Sequence, residues 1–284
     1  MTETSPYTGW ASPGRRVLKS RGFLWGVLLF VALLLFSFVG PHVYSYDATT
    51  INVSHQFLSP SLRFPLGTNA LGQNELARLM LGGELPVVAG VVAMAVVMIL
   101  GATIGISAGL LGGAWDSVLM WLADGILSIP QIVLILFLEV ARGSTPTVLV
   151  AAVAITSWPA VARIVRAQVM LIKRLEFVEA ARAVGNSSLR IALRHIVPNT
   201  VGVLLTVGVA QFANAVMMIA IATFIGLGVG PFDWASMMAS DFHNVTTGQW
   251  WLVVPPGLLF SLLIVSVHLM GNSAKRALFP SGGR

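Results

Sequence analysis

The amino-acid sequence predicts an all-α membrane protein with six transmembrane helices and both termini in the cytoplasm. Three observations predict it. Only 10% of its 284 residues are charged and 56% are hydrophobic, whereas a soluble domain carries about 25% charged residues. The apolar residues fall in six blocks, at about 23–43, 86–111, 117–140, 146–166, 199–229 and 252–271. Each matches the roughly 20 helical residues that cross a hydrocarbon core about 30 Å thick. With the N-terminus inside, 14 of the 17 basic residues fall in inside segments, leaving only Arg63, Arg78 and Arg142 outside. That asymmetry is a positive-inside signal. So few charges, placed this way, point to a lipid bilayer and away from nucleic acid, although the pI is near 10.5. The chain has no cysteine, which excludes disulfides, thiolate metal sites and cysteine catalysis.

The elements follow in order. Residues 1–22 are read as a cytoplasmic segment and 23–43 as the first span. "GPHVYSYD" (Gly40 to Asp47) reads as the exit from an uncleaved span, because no small-residue cleavage site follows the block. The loop 44–85 is extracytoplasmic. Pro60, Pro65 and Gly67 make its start turn-rich. From Asn69 onward, Leu71, Leu76, Leu79 and Met80 have helical spacing, which predicts a short interfacial helix feeding the second span.

Residues 86–271 form the core. Its first span contains "GATIGISAGLLGG". Gly101, Gly105 and Gly109 are four apart, the small-xxx-small pattern of close helix packing. Gly105 to Gly109 also spell G-x-S-x-G, and an intramembrane serine protease would pair Ser107 with His268. That motif requires a strand–turn–helix setting, so packing is the simpler account. Asp124 lies inside the 117–140 block, where a charge costs about 2.5–3.5 kcal/mol on insertion scales. Arg163 and Arg166, near the inner end of the 146–166 block, are its candidate partners. Gln211 and Asn214, three apart in the fifth block, face one side. Asn214 is assigned to a translocation path and Gln211 to interhelical packing. Met217 and Met218 offer an adaptable apolar wall. Trp250 and Trp251 suit a headgroup-level belt. His268 and the tyrosines show no metal-ligand spacing, so no metal, cofactor or catalytic residue is expected.

The stretch "LEFVEAARAVGNSSLRIALRHIVPN", Leu175 to Asn199, breaks the apolar pattern. Phe177, Ala181 and Val184 recur at helical spacing, and Glu179 and Arg182 can pair weakly, at about 0.2–0.5 kcal/mol. Gly185 stops this helix in a left-handed cap. Asn186 or Ser187 caps a second helix carrying Arg190 and Arg194. That helix ends before Pro198, which opens the fifth span. Two readings fit: a solvated cytoplasmic connector, or a knob for a groove on a partner. Composition does not choose between them.

A resemblance does. "EAARAVG" followed by "HIVP" resembles the EAA motif of ABC-importer permeases, with Glu179, Ala180, Ala181, Gly185 and Pro198 in register and His195 and Val197 as departures. "RHIVPN", "PLGTNALGQNELARLM", "FIGLGVGPFDWASMM", "GLLGGAWD" and "SWPAVARIVRAQV" are similar to segments of the dipeptide and oligopeptide branch, C-type subunit. The resemblance implies a type I ABC importer permease fold in a bacterial inner membrane. It implies that residues 171–198, with Arg182 among them, couple to a cytoplasmic ATPase. A second homologous permease and an extracytoplasmic binding protein are the other implied partners, and peptides the cargo. The chain has no G-x-x-x-x-G-K-[ST] loop, so ATP hydrolysis belongs to the partner. Nickel, haem or a glycoside are alternative cargoes of the branch, and a secondary transporter is the alternative class. Met218 stands where many branch members have an acid. Gln73 and Asn74 replace a usual Arg-Asp, which implies a lost surface ion pair. The tail 272–284 has lost acidic residues and keeps Lys275 and Arg276.

Overall fold

The structure, a computed structural model, describes residues 17–227 and 232–278. Arg15, Arg16 and Arg284, the last residues of the fifth predicted block and the end of the tail lie outside the described residues. Among the described residues, five helices are long and apolar enough to cross a membrane, and a sixth crossing arises if a bent helix pair is one span.

Helix α1 (Arg21–Leu34) is capped by Ser20, whose Oγ accepts the Phe23 N–H at 3.3 Å. It continues through a π-helical turn, Leu35–Val39, into a last turn, Gly40–Val43. The fifth span does the reverse. Helix α8 (Ser188–Ile191) runs through the π turn Ala192–Ile196 into α9 (Val197–Ala222). The expected helix stop before Pro198 is therefore absent. A proline ring collides with the carbonyl four residues back in a regular α-helix. For Pro41 and Pro198 those carbonyls belong to Ser37 and Arg194, each inside a π turn. The wider turn gives the ring room, so the helix passes the proline.

The centre of the bundle is α3 (Glu84–Leu111) against α6 (Pro146–Ile172). A Cβ on Gly101 would stand 2.5 Å from Val161 Cβ, and one on Gly105 would stand 2.5 Å from the Ala162 carbonyl oxygen. On Gly109 it would meet Val169 at 2.8 Å. The glycine stripe lets the two backbones touch, which is the packing role. Val97, Val161, Val165 and Val169 are buried in that seam together with Val207 of α9.

The third predicted block is two helices. α4 (Gly113–Leu127) and α5 (Gln131–Arg142) meet at 84°. Pro130 cannot donate a helical hydrogen bond and disfavours helix at the residue before it. Its ψ of 126° turns the chain out of the helix, so the expected straight span is broken there. Helices α10 (Trp234–Asp241) and α11 (Val254–Leu278) complete the bundle, with α11 packed on α1. Leu33, Leu79, Phe212, Trp234 and Leu263 form a second buried cluster that joins these helices.

At one end of the bundle the two long loops interlock. α2 (Glu75–Gly82) is capped by Asn74, whose Oδ1 accepts the Ala77 N–H at 3.1 Å. The predicted helix therefore starts at Glu75, and Asn69 to Gly72 form a turn instead. α3 alone spans about 42 Å at 1.5 Å per residue, more than a hydrocarbon core needs. α2 thus stands outside the spanning segment. Trp234 Nε1 donates to the Leu79 carbonyl at 2.8 Å, and Trp251 Nε1 to the Thr68 carbonyl at 3.3 Å. Trp251 is buried and only Trp250 remains exposed, so the pair does not form a belt together. Gln73 and Asn74 are buried as well. Gln73 accepts from the Asn69 side chain, and Asn74 donates to the Tyr44 hydroxyl. The two positions at which a lost surface ion pair was inferred are therefore not on the surface.

A buried ion cluster locks the same loops. Arg78 Nη1 donates to Glu75 Oε2 at 2.9 Å and lies 3.8 Å from Asp241. Two acids share one guanidinium in a site closed to water. Burial pushes the Glu75 carboxyl from 4.5 up to about 7, against the opposing attraction of Arg78. Burial raises Asp241 too.

Candidate functional site

The opposite end of the bundle carries the interrupting stretch. Helix α7 (Glu176–Ala183) ends at Gly185, whose φ of +85° is open to glycine and strained for other residues. The Gly185 N–H bonds the Arg182 carbonyl, and the Asn186 N–H bonds that of Ala181. Ser187 Oγ then caps α8 at the Arg190 N–H. The three residues at helical spacing do not share one environment. Val178 and Ile191 are buried in the seam of α3, α6 and α9, with Ala181 packed beside them. Phe177 and Val184 point outward, at 44% and 84% exposure. Val178 is the one fully buried residue of the two-turn α7. Glu179 and Arg182 are both exposed or half-exposed and do not form an ion pair with each other. Arg182 instead lines a cavity of about 590 Å³ behind the loop, with Lys173 and Ser188. Lys173 Nζ donates to the carbonyls of Gly109 and Leu110, holding the end of α3 against the end of α6.

A polar stripe climbs from this end into the spans. Arg166 forms a two-point ion pair with Asp116, and Arg163 pairs with Asp124. Of the two candidate partners for Asp124, geometry selects Arg163. The pairs differ in exposure. The side chains of Asp116 and Arg166 are 15% and 30% exposed, those of Asp124 and Arg163 are 62% and 48%. An exposed pair is weak, about 0–1 kcal/mol. Nor can it stand against lipid, since charged groups at membrane depth face a bundle interior or a wet cavity. Arg163 lies nine residues inside the end of α6, about 14 Å in, and Asp124 about 17 Å from the start of α4. This face of α4 and α6 therefore lines an aqueous or partner-filled space.

One turn further along lies a cavity of about 370 Å³. Gln131, Thr156, Ser157, Gln211 and Asn214 line it. The Gln131 amide donates to Ser157 Oγ at 2.7 Å and to Thr156 Oγ1 at 3.2 Å. Asn214 Nδ2 reaches Ser157 Oγ at 3.5 Å. Gln211 Oε1 is buried without a hydrogen-bond partner. Gln211 and Asn214 thus line one cavity. Met218 is elsewhere, packed with Ile135 and Leu149. Met217 lines a separate apolar cavity of about 420 Å³ with Phe224 and Phe260, so the two methionines do not make one wall. Ser107 donates to its own helix at the Ile104 carbonyl, and His268 bonds the Ile264 carbonyl. Neither makes a hydrogen bond to the other.

Sequence reasoning missed Gln131, Thr156 and Ser157, as well as Glu139, which is fully buried on α5. The available signal was the same in each case: a polar residue inside an apolar block.

Comparison with known proteins agrees with this architecture. The family model of the binding-protein-dependent transport system inner membrane component matches residues 101–278. The N-terminal TM domain of oligopeptide transport permease C matches residues 10–60. The chain is 29% identical over 273 residues to the dipeptide transport system permease protein DppC of Bacillus subtilis (strain 168), covering 94% of this chain and 84% of that protein. It is 30% identical over 258 residues to the probable D,D-dipeptide transport system permease protein DdpC of Escherichia coli (strain K12), covering 90% and 86%. Its fold is similar to a chain of the MetNI methionine ABC transporter in an inward-facing conformation, with a TM-score of 0.60 at 17% identity over 71% of this chain and 96% of that one. A chain of an amino acid ABC transporter gives 0.50 at 20% identity over 68% and 93%. The fold is that of a type I ABC importer permease, and the chain belongs to the family of binding-protein-dependent transport system inner membrane components.

Proposed function

We propose that this chain forms half of the peptide pathway of an ATP-driven importer in a bacterial inner membrane. A second, homologous permease supplies the other half. A cytoplasmic ATPase docks on the α7–Gly185–α8 loop, and an extracytoplasmic binding protein delivers cargo to the opposite end, where the long loops interlock. In this reading both termini are cytoplasmic, residues 44–85 are outside and the loop 171–198 is inside. Glu179, Ala180, Ala181, Arg182, Gly185 and Pro198 belong to the coupling element. Asp124, Gln211 and Asn214 line the pathway, while Met218 only supports its wall.

One observation carries the coupling role. The loop presents Glu179 and Phe177 outward while Val178 and Ile191 are rooted in the same seam as Val165, Val169 and Val207. A force on α7 is thereby applied to α3, α6 and α9 at once. Packed seams move as rigid bodies and do not deform smoothly, so closure of the ATPase pair becomes rocking of the bundle. ATP hydrolysis resides in the partner. The peptide cargo rests on the names of the relatives and on the neutral amide-and-hydroxyl cavity. Reconstitution of the full importer tests the coupling. Glu179→Lys and Gly185→Pro should each reduce ATP-dependent peptide uptake and uncouple ATPase activity, with membrane insertion unchanged. Proline cannot adopt the +85° φ of Gly185. Normal transport by either variant refutes the docking role.

A further inference from the structure

We propose that Asp124 and Arg163 are the charge-reading pair of the pathway, and that they open to hold the two ends of a zwitterionic short peptide. Asp124 takes the ammonium group and Arg163 the carboxylate. This deepens the peptide-pathway reading and rests on it.

Four observations converge. First, both members of the pair are exposed although both helices run through the membrane, so the pair faces an aqueous or partner-filled space and not lipid. The neighbouring Asp116–Arg166 pair is two-point and mostly covered, which suits a fixed brace between α4 and α6. Second, an exposed ion pair gains little from its own attraction, so exchanging partners for a ligand's charges is nearly balanced. Arginine's planar fork matches a carboxylate in two places. Third, the cavity begins one helical turn away on both elements. Leu127 follows Asp124 by three residues and Ala160 precedes Arg163 by three, and both line it. Fourth, the cavity has a neutral polar side of Gln131, Thr156, Ser157 and Asn214 and an apolar side that includes Ile126, Ile129 and Pro130. Those amides and hydroxyls can exchange hydrogen bonds with a peptide group. About 370 Å³ is at the small end of ligand cavities, the size for one or two residues. A charged pair beside a neutral amide-binding chamber is the complement of a short peptide with free ends.

The chain has no cysteine, so Ala160→Cys places its one thiol in the cavity wall. The assembled importer carrying this variant is treated with a maleimide, and labelling of this chain is read by mass. The probes are dialanine, dialaninamide and N-acetyl-dialanine. Dialanine should slow labelling about tenfold more effectively than either blocked form, the size of one charge-assisted hydrogen bond. Adding Arg163→Gln should bring dialanine down to the level of dialaninamide and leave the amide unchanged. Adding Asp124→Asn should do the same relative to N-acetyl-dialanine. Arg163→Lys keeps the charge and should keep the discrimination. Unliganded labelling rates equal to the parent show that each variant is folded. The proposal is overturned if the three probes protect alike, if none protects, or if both variants weaken all three probes equally, which is the behaviour of a structural latch. Dialanine uptake by the wild-type importer is measured in parallel. Uptake without selective protection sinks this proposal alone, and no uptake of any peptide sinks the pathway reading with it.

Discussion

Replacing Glu75 with glutamine tests the buried cluster that locks the two long loops. In the folded protein burial pushes the Glu75 carboxyl up to about 7, against 4.5 when solvated, a difference on the order of 3 kcal/mol. Its side chain is fully buried beside Arg78, so solvent does not screen this value away. The folded state holds the proton more tightly than the unfolded state. Stability from this group is therefore complete below pH 4.5 and is lost as pH rises to about 7. Asp241, raised in the same direction by burial, adds a slope of the same sign. Glu75→Gln keeps a side-chain acceptor for Arg78 but cannot ionise, so the Glu75 part of the slope should vanish. The assay is thermal unfolding of the purified protein in detergent across that pH interval, followed by tryptophan fluorescence, since Trp234 and Trp251 report on the loops. A wild type whose stability is flat or rises over that interval refutes the reasoning. So does a Gln variant as steep as wild type.

Two further outcomes are expected. Gly105→Leu should cost about 1–3 kcal/mol of thermal stability, because any side chain there runs into the Ala162 carbonyl at 2.5 Å, whereas Gly125→Ala, with nothing within 4 Å, should cost far less. Trp234→Phe removes the donor to the Leu79 carbonyl from a fully buried site, and a loss of about 1–3 kcal/mol should appear in chemical unfolding.

Much of this molecule is legible in one dimension, and particular residues show why. The glycines at 101, 105 and 109 announce a close helix contact because the helical repeat brings residues four apart onto one face. Gly185 announces a left-handed cap because few other residues tolerate that backbone. The polar cavity was only half legible. Gln211 and Asn214 stood out as neighbours, but Gln131 joins them only because Pro130 turns α5 by 84° and aims its first residue at α6. The interlocked loops were not legible. Their hydrogen bonds join Leu79 to Trp234 and Thr68 to Trp251, 155 and 183 residues apart.

The sequence by itself determined that the chain is a bundle of apolar membrane helices, the face on which α3 packs and the helix–glycine–helix form of the loop at Leu175 to Asn199. These rest on local properties: the length of an apolar run, the helical repeat and the φ range of a residue. Only the tertiary structure decided that Asp124 takes Arg163 while Asp116 takes Arg166, and that Gln73, Asn74 and Trp251 lie inside. Those outcomes depend on how each helix is rotated and bent against its neighbours. That is set by packing across the whole bundle, where one proline redirects a helix and three glycines let another approach.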